Sequence, residues 1–333
     1  MNVLVTGATG LVGGATVLQL LGAGREVRAL VRADAEQPPA VPSGVELIRG
    51  DVTDPDAVGR AMRGVDVVYH VAGLPERWLR DRREFEYVNA GGTRVMVETA
   101  LRLGVRAFIS TSTIDVFEHA PGVAFDESKL LADPRGSAYR RSMVQADRIV
   151  VAAMGRGLRA RIAHPAAVYG PSRRVRRGVN RLLADLLAAR VPALVSGGLP
   201  LVHVDDVATA MRALEDAPVG TRVILSEGYY PLRAIAASVH ELDPTVPVPE
   251  TIPDWRASLI THAGQVWSRL SRRPPSIADS ELDLVRAYVV PSAARARRTI
   301  GWQPRSLVEG LVDTIPALRL ANDAARTARL FGN

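Results

Sequence analysis

The first fourteen residues constrain this chain more than any other stretch. Val3, Leu4 and Val5 form a short apolar run that reads as a buried strand. Gly7, Gly10 and Gly13 follow at G-x-x-G-x-x-G spacing, and Ala15 to Leu21 then carries Val17, Leu18, Leu20 and Leu21 in a helical pattern. Strand, glycine turn and helix in that order make a dinucleotide site. The first glycine permits a tight turn, the second lets the backbone approach a pyrophosphate, and the third lets helix and strand pack closely. The helix N-terminus then offers its free N–H groups to the phosphates. A glycine-rich turn without a ligand is the plainer alternative.

The rest of the N-terminal half repeats the alternation. Glu26–Arg32, Val45–Ile48, Val65–Val71 and Ala107–Ser112 read as strands. Asp54 is placed to cap a helix with Pro55 at its first position. A long helix is expected from Asn89 to about Leu103. Strands alternating with helices predict an α/β fold, a doubly wound parallel sheet of the Rossmann kind. Cofactors lie at the carboxyl ends of such strands, where Gly7, Arg32, Asp51, Ala72 and Thr111 fall. A NAD site expects an acid at the end of the second strand, to bond the ribose hydroxyls. Here that place holds Val31 and Arg32, with Asp34 slightly beyond, and an arginine suits the 2′-phosphate of NADP.

Several motifs together resemble the extended short-chain dehydrogenase/reductases, the epimerase/dehydratase and dihydroflavonol reductase type. They are Thr6 to Gly13, Gly50-Asp51-Val52-Thr53-Asp54, His70-Val71-Ala72-Gly73, Asn89 through Thr93, Ser110 to Thr113 and Tyr139 to Met143. His164 to Pro171, Val202 to Ala208 and Gly301 to Arg305 complete the match, which covers almost the whole chain. The resemblance implies a Rossmann domain over 1–165 and a smaller substrate lobe over 166–333, with a segment near 200–225 returning to the core. It implies that the loop of Gly7, Thr9, Gly10, Leu11, Val12 and Gly13 holds the cofactor phosphates. Asp51 and Val52 would flank the adenine, Ala72, Gly73 and Thr111 would line the cofactor, and Pro165 and Val168 would border the nicotinamide. Thr113 matches the catalytic Ser/Thr and Tyr139 the catalytic tyrosine, which also touches the cofactor. A half-buried helix tyrosine is the alternative for Tyr139.

One departure stands out. The family pattern is Tyr-x-x-x-Lys, and Met143 occupies the lysine position. Residues i and i+4 share a helix face, so Met143 points where the lysine would. Arg140 and Arg141 project elsewhere. The chain has a single lysine, Lys129, in an expected loop upstream. The lysine's family roles, lowering the tyrosine pKa and holding the nicotinamide ribose, are thus put in question.

The C-terminal third carries an amphipathic helix over Asn180–Arg190, with Leu182, Leu183, Leu186 and Leu187 on one side. Val202-His203-Val204-Asp205-Asp206 reads as a structural joint between lobes. Leu242 to Pro275 is proline-rich, with Trp255, Leu259, Ile260, Val266, Trp267 and Leu270 at helical spacing; it reads as core or as an apolar cover over a lipophilic substrate.

Composition narrows the classes. With no cysteine there are no disulfides and no thiolate chemistry, which suits a reducing, cytoplasmic setting. No apolar run reaches the roughly 18 residues of a membrane span, and no basic leader precedes the first strand. The six histidines show no metal-ligand spacing. The net charge is +7, and the sharpest basic cluster is Arg173-Arg174-Val175-Arg176-Arg177, read either as a solvated loop or as a clamp on an anionic substrate or cofactor phosphate. Aromatic content of 5% argues against base-stacking platforms and nucleic acid. The expectation is an NADPH-dependent reductase of a hydrophobic carbonyl or enone, with Tyr139 giving the proton and Thr113 polarising the carbonyl. A nucleotide-sugar epimerase/dehydratase and an NADP-binding sensor are the alternatives, and a homodimer is left open.

Overall fold

The computed structural model describes residues 1–333 other than 33–40, 77–78, 134–135, 173–177, 254, 257–284 and 332–333. The N-terminal half runs β1 (Asn2–Thr6), α1 (Leu11–Gly22), β2 (Glu26–Val31), β3 (Glu46–Arg49), α2 (Pro55–Met62) and β4 (Val67–His70). A π-turn, Glu86–Gly91, leads into α3 (Gly92–Leu103), followed by β5 (Ala107–Thr111), β6 (Ala124–Phe125) and α4 (Ala138–Met154). Then come β7 (Ala160–Pro165), β8 (Ala167–Tyr169), α5 (Gly178–Leu187), β9 (Leu194–Val195), β10 (Gly198–His203) and α6 (Val204–Ala213). β11 (Arg222–Leu225), β12 (Gly228–Pro231), α7 (Leu232–Leu242), β13 (Thr251–Ile252), β14 (Val290–Pro291), α8 (Ala294–Ile300) and α9 (Leu307–Phe331) follow.

Seven strands form one parallel sheet in the order β11-β7-β5-β4-β1-β2-β3. This is the doubly wound sheet expected from the alternating pattern. Successive side chains of a strand face opposite sides, and both sides are covered here. Leu4, Val68, Phe108 and Ile162 pack under α2, α3 and α4, against Val58, Met62, Met96, Val97 and Val150. Val3, Val5, Tyr69 and Ile109 pack on the other side with Val17 and Leu20 of α1 and Val207 and Met211 of α6. Burial on both faces explains why these strands read as continuous apolar runs. The order in which the strands are laid down reverses between β1 and β4, so their carboxyl ends form the crevice in which such folds bind ligands.

The smaller lobe has its own core. Leu183 and Leu186 of α5, Leu201 of β10, Ile235 and Val239 of α7, and Leu311 and Leu318 of α9 meet there. β10 pairs with β8 in parallel and with β12 antiparallel. The 200–225 segment is divided: β10 lies in this small sheet, whereas α6 packs on α1 and β11 joins the edge of the large sheet.

The joint between the two parts is polar and tightly bonded. The Asp206 carboxylate accepts from the Arg305 backbone N–H (3.0 Å) and from Arg305 Nε (3.2 Å), and its carbonyl accepts from the Trp302 indole (2.9 Å). His203 caps α6 by accepting from the Asp205 N–H (3.3 Å), and its Nε2 faces Asp313 Oδ1 (3.2 Å). His203, Asp205 and Asp313 bring three candidate ligand atoms together, and the Arg305 guanidinium already lies 3.4 Å from Asp313 and 3.7 Å from Asp205.

A second buried cluster anchors α4. Asp147 binds His164 of β7 at 3.0 Å and Arg222 of β11 at 2.9 Å, and the Arg222 guanidinium sits over the Phe117 ring. Burial raises the Asp147 pKa, but the facing His164 and Arg222 outweigh it and hold the carboxyl below its ordinary range. Replacing Asp147 with Asn leaves Arg222 without its counter-charge and should cost about 3 kcal/mol in urea unfolding at pH 7. A depressed folded-state pKa stabilises above the unfolded value of about 3.9, and the stabilisation fades as pH falls through the folded value. The wild-type advantage over Asp147→Asn should therefore shrink below about pH 4. An advantage that does not shrink would refute this linkage.

Candidate active site

The glycine turn is as tight as its spacing implies. Gly7 has φ +71°, and a Cβ there would lie 2.8 Å from the Ala72 nitrogen. A Cβ on Gly13 would lie 2.1 Å from the Gly7 carbonyl oxygen. Gly10 donates its N–H to that same oxygen at 2.9 Å and forms the N-cap of α1. The helix ladder begins with Gly14 N–H to the Gly10 carbonyl (2.8 Å), so the N–H groups of Leu11, Val12 and Gly13 precede it. Such first-turn donors, at the positive end of a helix, suit an anion. Thr9 and Gly10 are exposed at the mouth of this turn. The donor set and the space kept free of side chains fit a dinucleotide pyrophosphate.

The other residues that the sequence assigned to the cofactor lie at or near the carboxyl ends of the strands. Asp51 accepts from the N–H (2.9 Å) and hydroxyl (2.7 Å) of Thr53, which fixes its carboxylate, and Val52 packs against Gly92. Thr111 Oγ1 faces the Met211 sulfur of α6 at 3.5 Å. Pro165 ends β7 next to the sheet edge, and Val168 is half-buried in β8. Arg32 directly follows β2 and is exposed, and Arg49 at the end of β3 donates to its carbonyl at 3.4 Å. The sequence reading missed Arg49; the parallel register of β2 and β3 brings it beside Arg32. Asp34 and the Arg173–Arg177 run lie outside the described residues, as does most of the Leu242–Pro275 stretch. Trp255, within the described part, is 60% exposed and so is not core.

A buried hydrogen-bond chain ties the glycine turn to α4. Thr6 Oγ1 accepts from the N–H groups of Val71 (3.1 Å) and Ala72 (3.0 Å) and lies 3.0 Å from His70 Nδ1. Burial pushes the His70 pKa down to about 4, so the ring is neutral. Both Thr6 lone pairs are used, so its proton goes to Nδ1, and Nε2–H donates to Thr93 Oγ1 (3.0 Å). Thr93 donates to the Asn89 carbonyl (2.6 Å). Asn89, in the π-turn, accepts from Leu74 N–H (2.7 Å) and donates to Ser142 Oγ (3.0 Å), which donates to the Tyr139 carbonyl (2.7 Å). A π-turn within a helix often marks a functional site. Here it sets Asn89 against both Leu74 and α4. Gly73 leaves room for it, since a Cβ there would lie 3.2 Å from Asn89 Oδ1.

Tyr139 and Thr113 are brought together. Tyr139 is half-buried on the first turn of α4, with the Phe85 ring edge-on at 5.9 Å. Burial pushes its pKa up, the charges of Asp115 and Glu76 push it further, and a hydrogen bond with Thr113 pulls it back in part. Met143 is half-buried against the large apolar core. Arg140 donates from Nε to the Asp115 carbonyl (3.0 Å) and from Nη2 to His119 (3.3 Å), Arg141 bonds the Gly136 carbonyl, and Lys129 is exposed. Thr113 Oγ1 donates to Asp115 Oδ2 at 2.9 Å. Asp115 was also missed, since its role depends on a 3₁₀ turn that folds it back onto Thr113.

A model of the NAD dependent epimerase/dehydratase family matches residues 3–224. The chain belongs to that family. It is an oxidoreductase of the extended short-chain dehydrogenase/reductase superfamily, whose cofactor is a nicotinamide dinucleotide. The chain is 28% identical over 326 residues to sterol demethylase protein B of Methylococcus capsulatus, covering 96% of this chain and 98% of that one. It is 29% identical to a ceramide reductase of Caulobacter vibrioides, covering 96% and 95%. Among solved structures it resembles gox2253 with a TM-score of 0.81 at 26% identity, covering 96% and 98%. Among the described residues no helix is long and apolar enough to cross a membrane.

Gly13→Ala should separate helix from loop. We expect at least a tenfold loss of dinucleotide affinity by fluorescence titration, and about 1–3 kcal/mol of stability lost to overpacking.

Proposed function

We propose that this oxidoreductase reduces a lipophilic small-molecule carbonyl or enone with NADPH. The observation that carries the reading is the surroundings of Tyr139. Burial, Asp115 and Glu76 all favour the protonated phenol, and Met143 places a thioether where a cation would draw the proton away. Reducing a carbonyl needs a phenol that can give its proton; oxidising an alcohol needs a phenolate that can take one. An epimerase that oxidises and then re-reduces needs both states, so the same surroundings count against it.

When bound, the nicotinamide supplies the hydride. Gly7 to Gly13 would hold the pyrophosphate, Asp51 and Val52 the adenine end, and Ala72, Gly73, Thr111, Pro165 and Val168 the remainder. Tyr139 donates its hydroxyl proton to the substrate oxygen as that oxygen gains negative charge. Thr113 holds the Tyr139 hydroxyl in place. The His70–Thr93–Asn89–Ser142 chain keeps the first turn of α4 in register with the cofactor turn, and Asp147 keeps its middle against the sheet.

Arg32 and Arg49 at the ends of β2 and β3 support NADPH over NADH, since guanidinium groups recognise phosphate. The apolar surroundings of Tyr139, with Phe85 and Met143, support a lipophilic substrate, and the sterol and ceramide in the relatives' names are lipophilic molecules. The lack of cysteine supports cytoplasmic residence.

Screening lipophilic ketones and enones for NADPH oxidation tests the reading. Tyr139→Phe should then lose roughly 10²–10⁴ in rate, the worth of a general acid. Intact turnover in that variant would remove Tyr139 as donor. A charge-assisted bond is worth about 1.5–3 kcal/mol, so Arg32→Ala should weaken NADPH binding about tenfold or more and leave NADH nearly unchanged. Equal effects on the two cofactors would contradict the NADPH assignment. Met143→Lys should raise alcohol oxidation at neutral pH more than carbonyl reduction, because a nearby ammonium lowers a phenol pKa by about 1–3 units.

A further inference from the structure

A second cleft shares no residue with the glycine turn or with the Tyr139 site. It lies between the end of β11, the end of β14 and α8, and it encloses about 440 Å³. That volume is in the range of small-molecule sites. Ser226 and Glu227, directly after β11, form one wall; Ser292, Arg297 and Arg298 belong to the other.

The first wall presents two buried polar atoms without a partner. Ser226 is only 4% exposed, and its Oγ makes no hydrogen bond. Glu227 Oε2 is likewise buried with no donor. The backbone beneath them is fixed. Glu227 N–H donates to the Leu201 carbonyl of β10 (2.8 Å), and the Leu225 carbonyl just before takes the Ala166 N–H (2.9 Å). A buried acceptor left unpaired costs the desolvation of that group, so an unpaired pair lining a cleft marks a place for a donor. Burial also pushes the Glu227 carboxyl above its ordinary range; Asp206 and Glu309 add to this, and Tyr230 and Arg297 oppose it.

The second wall carries the opposite charge. Ser292 N–H donates to the Phe125 carbonyl (2.8 Å), and Arg295 pairs with the buried Glu127 (3.3 Å), which together seat α8. Arg297 and Arg298 follow on the same helix. Both are exposed, and neither forms an ion pair among the described residues. Arg297 acts on Glu227 through its charge, and Arg298 on Asp126. An acid inside the cleft and guanidinium groups at its rim thus face each other without closing on one another.

We infer that this cleft binds a small zwitterion, its ammonium against Glu227 Oε2 and Ser226 Oγ and its carboxylate or phosphate against Arg297 and Arg298. The order of charges selects the class. A plain anion would leave the Glu227 oxygen unpartnered beside a like charge. A plain cation would leave the guanidinium groups unused and be repelled by them. An ammonium has three donors, enough for both inner atoms, and guanidinium forks match carboxylate and phosphate oxygens. The inference does not depend on the reductase reading.

Titration calorimetry of the full-length chain at neutral pH tests it. The zwitterionic probes are 4-aminobutyrate and phosphoethanolamine; succinate, putrescine and inorganic phosphate carry one sign of charge only. At least one zwitterion should bind about tenfold or more tightly than any of these three, the worth of one charge-assisted bond. Glu227→Gln keeps the shape and removes the inner charge, and should weaken that zwitterion about tenfold without weakening succinate. Arg297→Ala combined with Arg298→Ala, on the exposed side, should weaken it by a similar factor without weakening putrescine. NADPH affinity should hold in all variants. No binding of either zwitterion, phosphate alone binding as tightly, or an affinity untouched by both sets of substitutions would overturn the inference. Turnover in Tyr139→Phe judges the reductase reading separately.

Discussion

The Gly7 carbonyl oxygen is the point about which the molecule is built. It accepts the Gly10 N–H, and it leaves no space for a side chain at residue 13. Because Gly7 also lies against Ala72, the same turn sets the gap between the ends of β1 and β4, where the strand order reverses. Backbone contacts this close tolerate little adjustment, since a packed interior deforms little. The binding crevice is therefore defined before any side chain enters it.

From that crevice two buried polar systems reach α4. The chain through Thr6, His70, Thr93, Asn89 and Ser142 uses its donors and acceptors in sequence, which is the condition for a buried network to add rigidity. Asp147 with His164 and Arg222 ties the middle of α4 to β7 and to the edge strand β11 of the large sheet. Helix position is thus controlled at both places by hydrogen bonds with fixed geometry, and the tyrosine at its first turn inherits that position.

Burial and the charges around Tyr139 favour the phenol, and the hydrogen bond with Thr113 opposes them in part. In the related motif a lysine stands one helical turn along; here Met143 packs into the core instead, and two carboxylates act on the hydroxyl. Removing a positive charge and adding negative ones both stabilise the phenol. Asp206 binds Arg305, just ahead of α9 of the smaller lobe, while its carbonyl takes the indole of Trp302 in the large core, so a polar joint adds to the apolar packing there.

Much of this was legible in the residues themselves. The glycine spacing, the Asp54-Pro55 helix start and the alternating apolar runs depend on local backbone sterics and on periodicity, and they foretold the parallel sheet and its crevice. Other features needed the tertiary structure. Arg49 meets Arg32 only through strand register, the Asn89 helix begins as a π-turn, and the Thr113 proton goes to Asp115 because a 3₁₀ turn brings them together. Sequence determined which groups could act and on which elements they sit. Which way each proton points was decided by contacts between segments far apart in the chain, because a hydroxyl or imidazole takes its direction from the partners that folding brings to it.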